Sequence, residues 1–306
     1  MKIAVIGSNM VDLIYYIDRM PNPGETIEAP DFSLGCGGKG ANQAVAAAKC
    51  GADVMMLTKV GSDLFGKNTI ENLNNFGIDT SCCEMVDGMS SGVAPIFVDK
   101  NSQNSILIIK GANKELKPCD IDKAADKLKE CKLIVLQLEI SLKTVYYAIA
   151  FGKKHGISVL LNPAPADPNL DLDKIKDCEF FVPNESELAT LTKMPVDTDE
   201  QVLEAANFLI KAGIKNVIVT MGSRGSMLVN AQGVTKVPCF KVKAIDTTGA
   251  GDAFIGSFSD SYVKTLDIVH SMKVGSAFAA LSVTKRGTQK SYPEPSEVQA
   301  FLEANS

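Results

Sequence analysis

Short uninterrupted apolar runs alternate along the whole chain with stretches in which apolar positions recur at helical spacing. A strand buried on both faces needs the first pattern, and a helix that buries one face needs the second. The runs predict core strands over residues 2–6, 54–60, 133–138, 159–161, 180–182 and 217–220. Helices are predicted over 41–50, 67–76, 144–155 and 200–212, and a glycine suited to ending a helix follows each of them. Strand and helix in this order indicate an α/β chain with a mostly parallel sheet and helices on both faces.

Two stretches break the alternation. Residues 13–35 carry Pro21, Pro23, Gly24 and Pro30 among β-branched and aromatic residues, without helical period. Residues 91–110 hold two extended runs, 93–98 and 105–109, around a polar turn at 99–104, which predicts a hairpin. On pattern alone, a small sheet standing off the main one and two ordinary surface excursions are equally compatible with these stretches.

Composition narrows the class. The chain has 306 residues, 45% hydrophobic and 22% charged, enough for a large core, and its formal net charge of −5 argues against a nucleic-acid partner. No apolar run approaches the roughly 20 residues that cross a bilayer, so no membrane partner is expected. Lys2, four apolar residues and then Asp12 do not make a signal peptide, and a cytoplasmic protein is expected. The eight cysteines contain no Cys-x-x-Cys pair and read as small buried hydrophobes of a reducing compartment. His155 and His270 lie outside any ligand cluster, and His155 suits the end of a helix before Gly156. Acid–base chemistry is therefore expected from carboxylates or lysine.

Gly35-Cys36-Gly37-Gly38-Lys39-Gly40 fits G-x-G-x-x-G by letter, but it follows the proline-rich stretch and not the first buried strand, which argues against a dinucleotide fingerprint. A phosphate-binding P-loop is excluded, because Gly40 stands where Ser or Thr must follow the lysine. What remains is a glycine run that lets a ligand approach the backbone, beside Lys39 and a helix start. A second run, Asp246-Thr247-Thr248-Gly249-Ala250-Gly251-Asp252, precedes an apolar helical pattern and offers free amides to an anion. Asp252 in the first turn is either an ordinary helix stabiliser or a base for a hydroxyl attacking a bound phosphate. Glu139, Asn184-Glu185-Ser186-Glu187 and Thr220-Met221-Gly222-Ser223-Arg224-Gly225 each stand at the carboxyl end of a predicted strand, where open α/β sheets bind ligands.

Gly37-Gly38-Lys39-Gly40-Ala41-Asn42-Gln43-Ala44 and Asp246-Thr247-Thr248-Gly249-Ala250-Gly251-Asp252 resemble the two signatures of the ribokinase family, and the resemblance runs from Ile3 to about Pro293. It implies one catalytic domain over 1–306, a doubly wound α/β fold with a small β lid formed by about 13–35 and 91–110, and a homodimer through the lids. It implies that Asp252 activates a sugar's primary hydroxyl and that the amides of Gly249, Ala250 and Gly251 bind the transferring phosphoryl. ATP would be held by Asn184, Thr220, Met221, Gly222, Ser223, Arg224, Gly225, Gly251 and Asp252. Glu187 would organise Mg²⁺ through water. The sugar, a pentose, would meet Met10, Val11, Asp12, Gly38, Lys39, Gly40, Ala41, Asn42, Glu139 and Asp252. A monovalent cation, K⁺, would be ringed by Asp246, Thr248, Ser282, Lys285, Gly287 and Ser291. Phosphoryl transfer of this kind needs positioning and charge stabilisation, and no His or Cys. One position departs from the family: after the first strand the run is Gly7-Ser8-Asn9-Met10-Val11-Asp12, with Met10 where ribokinases carry an asparagine. Asn9 cannot replace it, because neighbours on an extended segment point to opposite sides. This is similar to the branch of the family acting on the 5-hydroxyl of 2-deoxyribose. Ribose phosphorylation and a sugar sensor without turnover are the alternatives, and the intact Asp252 and glycine run argue against the sensor.

Overall fold

The structure, a computed structural model, describes residues 2–100 and 104–305. Its strands are β1 (Lys2–Ile6), β2 (Met10–Ile17), β3 (Asp31–Gly37), β4 (Asp53–Gly61), β5 (Asp79–Val86), β6 (Val93–Asp99) and β7 (Asn104–Ile106). They continue with β8 (Leu133–Leu136), β9 (Ser158–Leu161), β10 (Phe180–Phe181), β11 (Asn216–Thr220), β12 (Ser226–Asn230) and β13 (Gly233–Val237). Among the described residues they form two sheets, a large one in the order β13-β12-β11-β10-β9-β8-β1-β4-β5 and a small one in the order β3-β2-β6-β7. In the large sheet every pairing from β5 to β11 is parallel, and β12 and β13 add an antiparallel edge.

Alternation along the central strands divides the core into two layers. Ala4 and Ile6 of β1 join Met55, Leu57, Ile134 and Leu136 on one face, while Ile3 and Val5 join Val54, Met56, Leu133 and Val135 on the other. Because both faces are apolar, both are covered by helices, and the central strands read as continuous apolar runs. Phe180 and Phe181 show the same division, Phe180 meeting the rings of Phe258 and Tyr262 edge-on.

All six predicted strands are present. The run 133–138 ends as a strand at Leu136, because the amide of Leu138 turns to the Ala164 carbonyl. The four predicted helices are also present, as Lys39–Lys49, Leu64–Asn75, Leu142–His155 and Asp199–Lys211, all beginning earlier than the apolar period suggests. For the last three the reason is a side-chain cap: Asp63, Ser141 and Thr198 accept backbone amides of the first turn. Strands β5 and β13 lack the apolar run, since they lie at the two edges of the large sheet and bury less of their surface, while β12, paired on both sides and buried from Ser226 to Val229, has an apolar run of only three residues between Ser226 and Asn230.

The two off-pattern stretches form the small sheet. β2 and β3 pair antiparallel, β2 and β6 parallel, and Tyr15 stacks on Phe97 at 5.4 Å between centroids. β6 and β7 form the expected hairpin, extended by pairing of Val93 with Ile109. Part of its turn, 101–103, lies outside the described residues. No helix among them is long and apolar enough to cross a membrane.

Topology places the site. From β1 the chain moves to β4 and β5 on one side, then crosses to β8 and continues away on the other. The segments leaving β1 and β8 therefore diverge at the carboxyl edge and open a crevice there.

Candidate active site

Ser8 and Asn9 leave β1 at this crevice, and Gln137 and Glu139 leave β8. The Ser8 hydroxyl donates to Glu139 Oε2, and the Lys39 amide donates to the same oxygen at 2.9 Å. Glu139 thereby binds the start of the Lys39–Lys49 helix to the end of β8. Asn42 and Gln43, one turn into that helix, reach across to Asp252. Asn42 Nδ2 donates to Asp252 Oδ2 at 3.1 Å and Gln43 Nε2 to Asp252 Oδ1 at 2.9 Å. A carboxylate has about four lone-pair sites, so each oxygen keeps one for a ligand hydroxyl.

The two amides are themselves fixed. Gln43 also donates to Asn162 Oδ1 and accepts from Gln137 Nε2 at 2.6 Å, while Asn42 Oδ1 accepts from Gln289, whose own oxygen accepts from Asn72. Gln43, Asn162 and Gln289 are the functional neighbours that motif reading did not single out. The letters GANQA display Gln43, but only the fold brings Gln289 to Asn42.

Asp252 lies in the first turn of the Ala250–Thr265 helix, whose N-terminus has no side-chain cap. Gly249 stands before it with φ of 75°, and a Cβ there would come within 2.2 Å of Thr288 Cγ2, so backbone and space both require glycine. The amide of Ala250 turns to the Thr247 carbonyl at 3.2 Å, whereas among the described residues no hydrogen bond takes the amides of Gly249 or Gly251. These face a cavity of about 160 Å³ lined by Lys39, Asn184, Glu187, Thr220 and Asp252 among others. A wider groove of about 800 Å³, lined by Glu179, Asn216, Asn230 and Leu266, lies at the opposite edge of the sheet and contains none of the expected residues.

Around the cavity the strand ends are held by short-range bonds. Asn184 bridges to Thr220 and caps the Glu185–Thr192 helix through Glu187, whose two carboxylate oxygens each accept one bond from Asn184. Met221 accepts no helix; it leads into a short turn, Gly222–Arg224, closed by the bond from Met221 N–H to the Gly225 carbonyl. The Arg224 guanidinium is bound by Glu185, Asp199 and the Val196 carbonyl, so Arg224 can offer a nucleotide only its backbone. Ser223 stands in the same turn.

Charge organises the interior. Burial pulls the Lys39 ammonium down, but Asp252, Glu139 and Glu187 around it raise its pKa overall. Burial likewise raises Glu187, against the opposing pull of the Asn184 amide and Lys39. Strand alternation puts Met10 and Asp12 on one face of β2, with Val11 on the other. Asp12 is pushed up to about 7, by burial first and then by the charges of Glu139 and Asp252. The structure thus brings Asp12, Glu139, Lys39, Asn42 and Asp252 to one place.

Of the residues expected around a monovalent cation, Asp246, Thr248 and Gly287 are joined by hydrogen bonds. Asp246 Oδ1 accepts from the Thr248 amide at 3.0 Å and Oδ2 from the Gly287 amide at 2.9 Å. These bonds outweigh burial and hold the Asp246 carboxyl below its ordinary value. The Ser282 hydroxyl donates to the Ala279 carbonyl in the last turn of the Ile268–Ser282 helix, the Ser291 hydroxyl to the Thr288 carbonyl, and the Lys285 ammonium turns out to Glu297. Among the described residues, no group of three or more His, Cys, Asp and Glu side chains could hold a metal. Cations here need backbone, water or ligand oxygens.

The family described as pfkB family carbohydrate kinase matches residues 1–295. The deoxyribokinase of Salmonella typhi is 59% identical over 305 residues, covering 100% of both chains. The ribokinase of Mus musculus is 39% identical, covering 98% of this chain and 94% of that one. Among solved structures, Arabidopsis thaliana ribokinase complexed with ribose and ATP superposes with a TM-score of 0.94 at 31% identity, covering 98% of each chain.

The raised Asp12 makes a stability prediction. The unfolded chain releases this proton near 3.8 and the native protein near 7, so between those values the native state binds more protons. Stability therefore falls as pH rises through that window and is level above it. Asp12→Asn should be more stable than wild type at pH 8 and gain little at pH 4, measured as urea midpoints. An equal difference at both pH values would remove this account.

Proposed function

The chain belongs to the pfkB family of carbohydrate kinases, and from that membership we propose that it transfers the γ-phosphoryl group of ATP to the 5-hydroxyl of 2-deoxyribose, with ribose as a poorer substrate. The observation that carries this reading is Met10, buried beside Asp12 on the face of β2 that looks into the crevice. A thioether there offers apolar surface and a weak acceptor, suited to the CH₂ at carbon 2 of deoxyribose. The similarity to the Mus musculus ribokinase keeps ribose phosphorylation as the second reading.

In the proposed reaction Asp12, Glu139, Lys39 and Asn42 hold the pentose, with the backbone of Val11, Gly38, Gly40 and Ala41 beside it. Asn184 and the backbone of residues 220–225 hold ATP, with Gly251 and Asp252 next to its phosphates. Asp252 accepts the proton of the 5-hydroxyl as that oxygen bonds to the γ-phosphorus and the bond to the ADP oxygen breaks. The Asn42 and Gln43 amides keep the carboxylate in place during transfer. The helix N-terminus at Gly249, Ala250 and Gly251 stabilises charge on the transferring group, with Lys39 at its side. Glu187 fits Mg²⁺ through water, since each oxygen retains a lone pair beyond its bond from Asn184. Bound Mg²⁺ would neutralise phosphate charge. The oxygens around Asp246, Thr248, Ser282, Lys285, Gly287 and Ser291, mainly carbonyls, fit K⁺, which would order the neighbouring turn.

The whole of 1–306 acts as one catalytic unit with the small sheet, including 13–35 and 91–110, as its lid. The lid excludes water that would compete as acceptor. Its Phe32, Leu34, Leu107 and Ile109 are exposed apolar residues, and a second copy of the chain covers them in a homodimer. Eight free cysteines suit a reducing cytoplasm.

Four measurements test the proposal. Asp252→Asn should lower kcat by at least ~100-fold while sugar binding is kept, and wild-type turnover in the folded variant would refute the base. Activity should rise when K⁺ replaces Na⁺ at constant ionic strength, and indifference to the cation would eliminate the Asp246 site. ADP release over a panel of pentoses should favour deoxyribose, chiefly through KM. Met10→Asn should shift kcat/KM toward ribose by roughly tenfold, the worth of one good hydrogen bond. A wild type that prefers ribose would leave ribokinase as the function.

A further inference from the structure

Asn113 lies in a short turn, Gly111–Glu115, far along the chain from every signature residue, yet it is buried against the end of β1. Its Oδ1 accepts the Asn9 amide at 3.0 Å and its Nδ2 donates to the Asn9 carbonyl at 2.7 Å. One side-chain carboxamide thus pairs with both backbone groups of a single residue, as a neighbouring strand would. The second Nδ2 hydrogen goes to the Lys110 carbonyl at 2.8 Å, and the Met10 sulfur lies 3.9 Å from the same nitrogen. Gly92 completes the seat: a Cβ there would approach Asn113 Nδ2 to 2.4 Å and the Met10 sulfur to 2.7 Å.

The same spot joins the lid to the main sheet. The Val11 amide donates to the Gly92 carbonyl, Val93 and Ile109 exchange two bonds, and the Ala112 amide donates to the Ser90 carbonyl. The first residues of β2 and β6, Met10 and Val93, and the isolated bridge from Val93 to Ile109 therefore lie in the segments bonded next to the Asn113 turn. The Asn9 side chain is held as well: its Nδ2 donates to Thr58 Oγ1, to the Lys59 carbonyl and, at 3.4 Å, to Asn113 Oδ1.

We propose that Asn113 is a specificity-positioning residue: by pairing with the Asn9 peptide it fixes where the Met10 thioether stands, and so how the enzyme reads carbon 2 of the sugar. The proposal rests on Met10 facing the pentose, as argued above. Asn113 does not touch the reacting atoms. Its loss should act on sugar recognition and leave the phosphoryl side alone.

The test compares wild type, Asn113→Ala, Asn113→Ser, Met10→Ala and the Met10→Ala/Asn113→Ala double variant, with kcat and KM for deoxyribose and ribose, KM for ATP, and thermal melting. Asn113→Ala should raise the deoxyribose KM by about tenfold, the effect of losing one or two hydrogen bonds, with kcat and the ATP KM nearly unchanged. Asn113→Ser, able to pair with only one Asn9 group, should fall between. The preference for deoxyribose over ribose should drop in the Met10 background and stay unchanged in the Met10→Ala background. A wild-type KM and preference in Asn113→Ala, or the same preference shift without Met10, would overturn the proposal. So would a fall in kcat for both sugars with no change in KM. Should Asn113→Ala fail to fold, the serine variant is judged by the same criteria. If wild type prefers ribose, the deoxyribose reading fails on its own. A raised ribose KM in Asn113→Ala then still supports the positioning role, and an unchanged one overturns it.

Discussion

Two neighbouring amides, Asn42 Nδ2 and Gln43 Nε2, grip the two oxygens of one carboxylate that lies 210 and 209 residues further along the chain. The contact locks the start of the Lys39–Lys49 helix to the start of the Ala250–Thr265 helix, at the point where the sheet changes direction. Lys39 and Asn42 come from the first helix, and the free amides of Gly249 and Gly251 from the N-terminus of the second. The distance between the two halves of the site is therefore set by hydrogen bonds to Asp252. Moving either helix would leave a buried carboxylate or a buried amide unpaired, which costs about 1–3 kcal/mol or more.

The polar network that surrounds this contact is built mostly of neutral amides. Gln137, Gln43, Asn162, Asn42, Gln289 and Asn72 form a continuous chain on both sides of Asp252. Amides can donate and accept at once, so a chain of them fixes geometry without adding charge to an interior that already holds Asp12, Glu139 and Glu187. Burial raises Asp12, to about 7, and it also raises Glu187. A site that is less stable in its free form has more to gain from a ligand whose hydroxyls satisfy those carboxylates.

The lid is part of this same framework. Met10 and Asp12 belong to β2, a lid strand, yet they face the crevice, and the lid's crossings gather at Asn9, Gly92 and Asn113. On the proposed reading, sugar recognition and the placement of the small sheet share this junction, so a change there would alter which sugar fits.

Much of this protein was legible in its sequence because the signals are local. Buried parallel strands show as apolar runs, and glycines with a helical pattern behind them mark a backbone anion site. Met10 stands out only against the asparagine that the ribokinase family carries at that position. The edge strands β5 and β13 left no such mark, because a half-covered strand does not need continuous apolar residues, and the apolar run of β12 is only Met227 to Val229. Asp63, Ser141 and Thr198 were overlooked as caps because a cap is a single polar residue ahead of the apolar period. Gln289, Asn162 and Asn113 could not be found at all from spacing. Their partners Asn42, Gln43 and Asn9 lie 247, 119 and 104 residues away, and an amide carries no local signature of which distant group it will meet. The sequence by itself determined the strands, the helices and the two glycine turns, since each rests on the periodicity of its own few residues. The tertiary structure alone decided which amides hold Asp252 and which one seats Met10, since those depend on where a crossed-over sheet brings distant segments together.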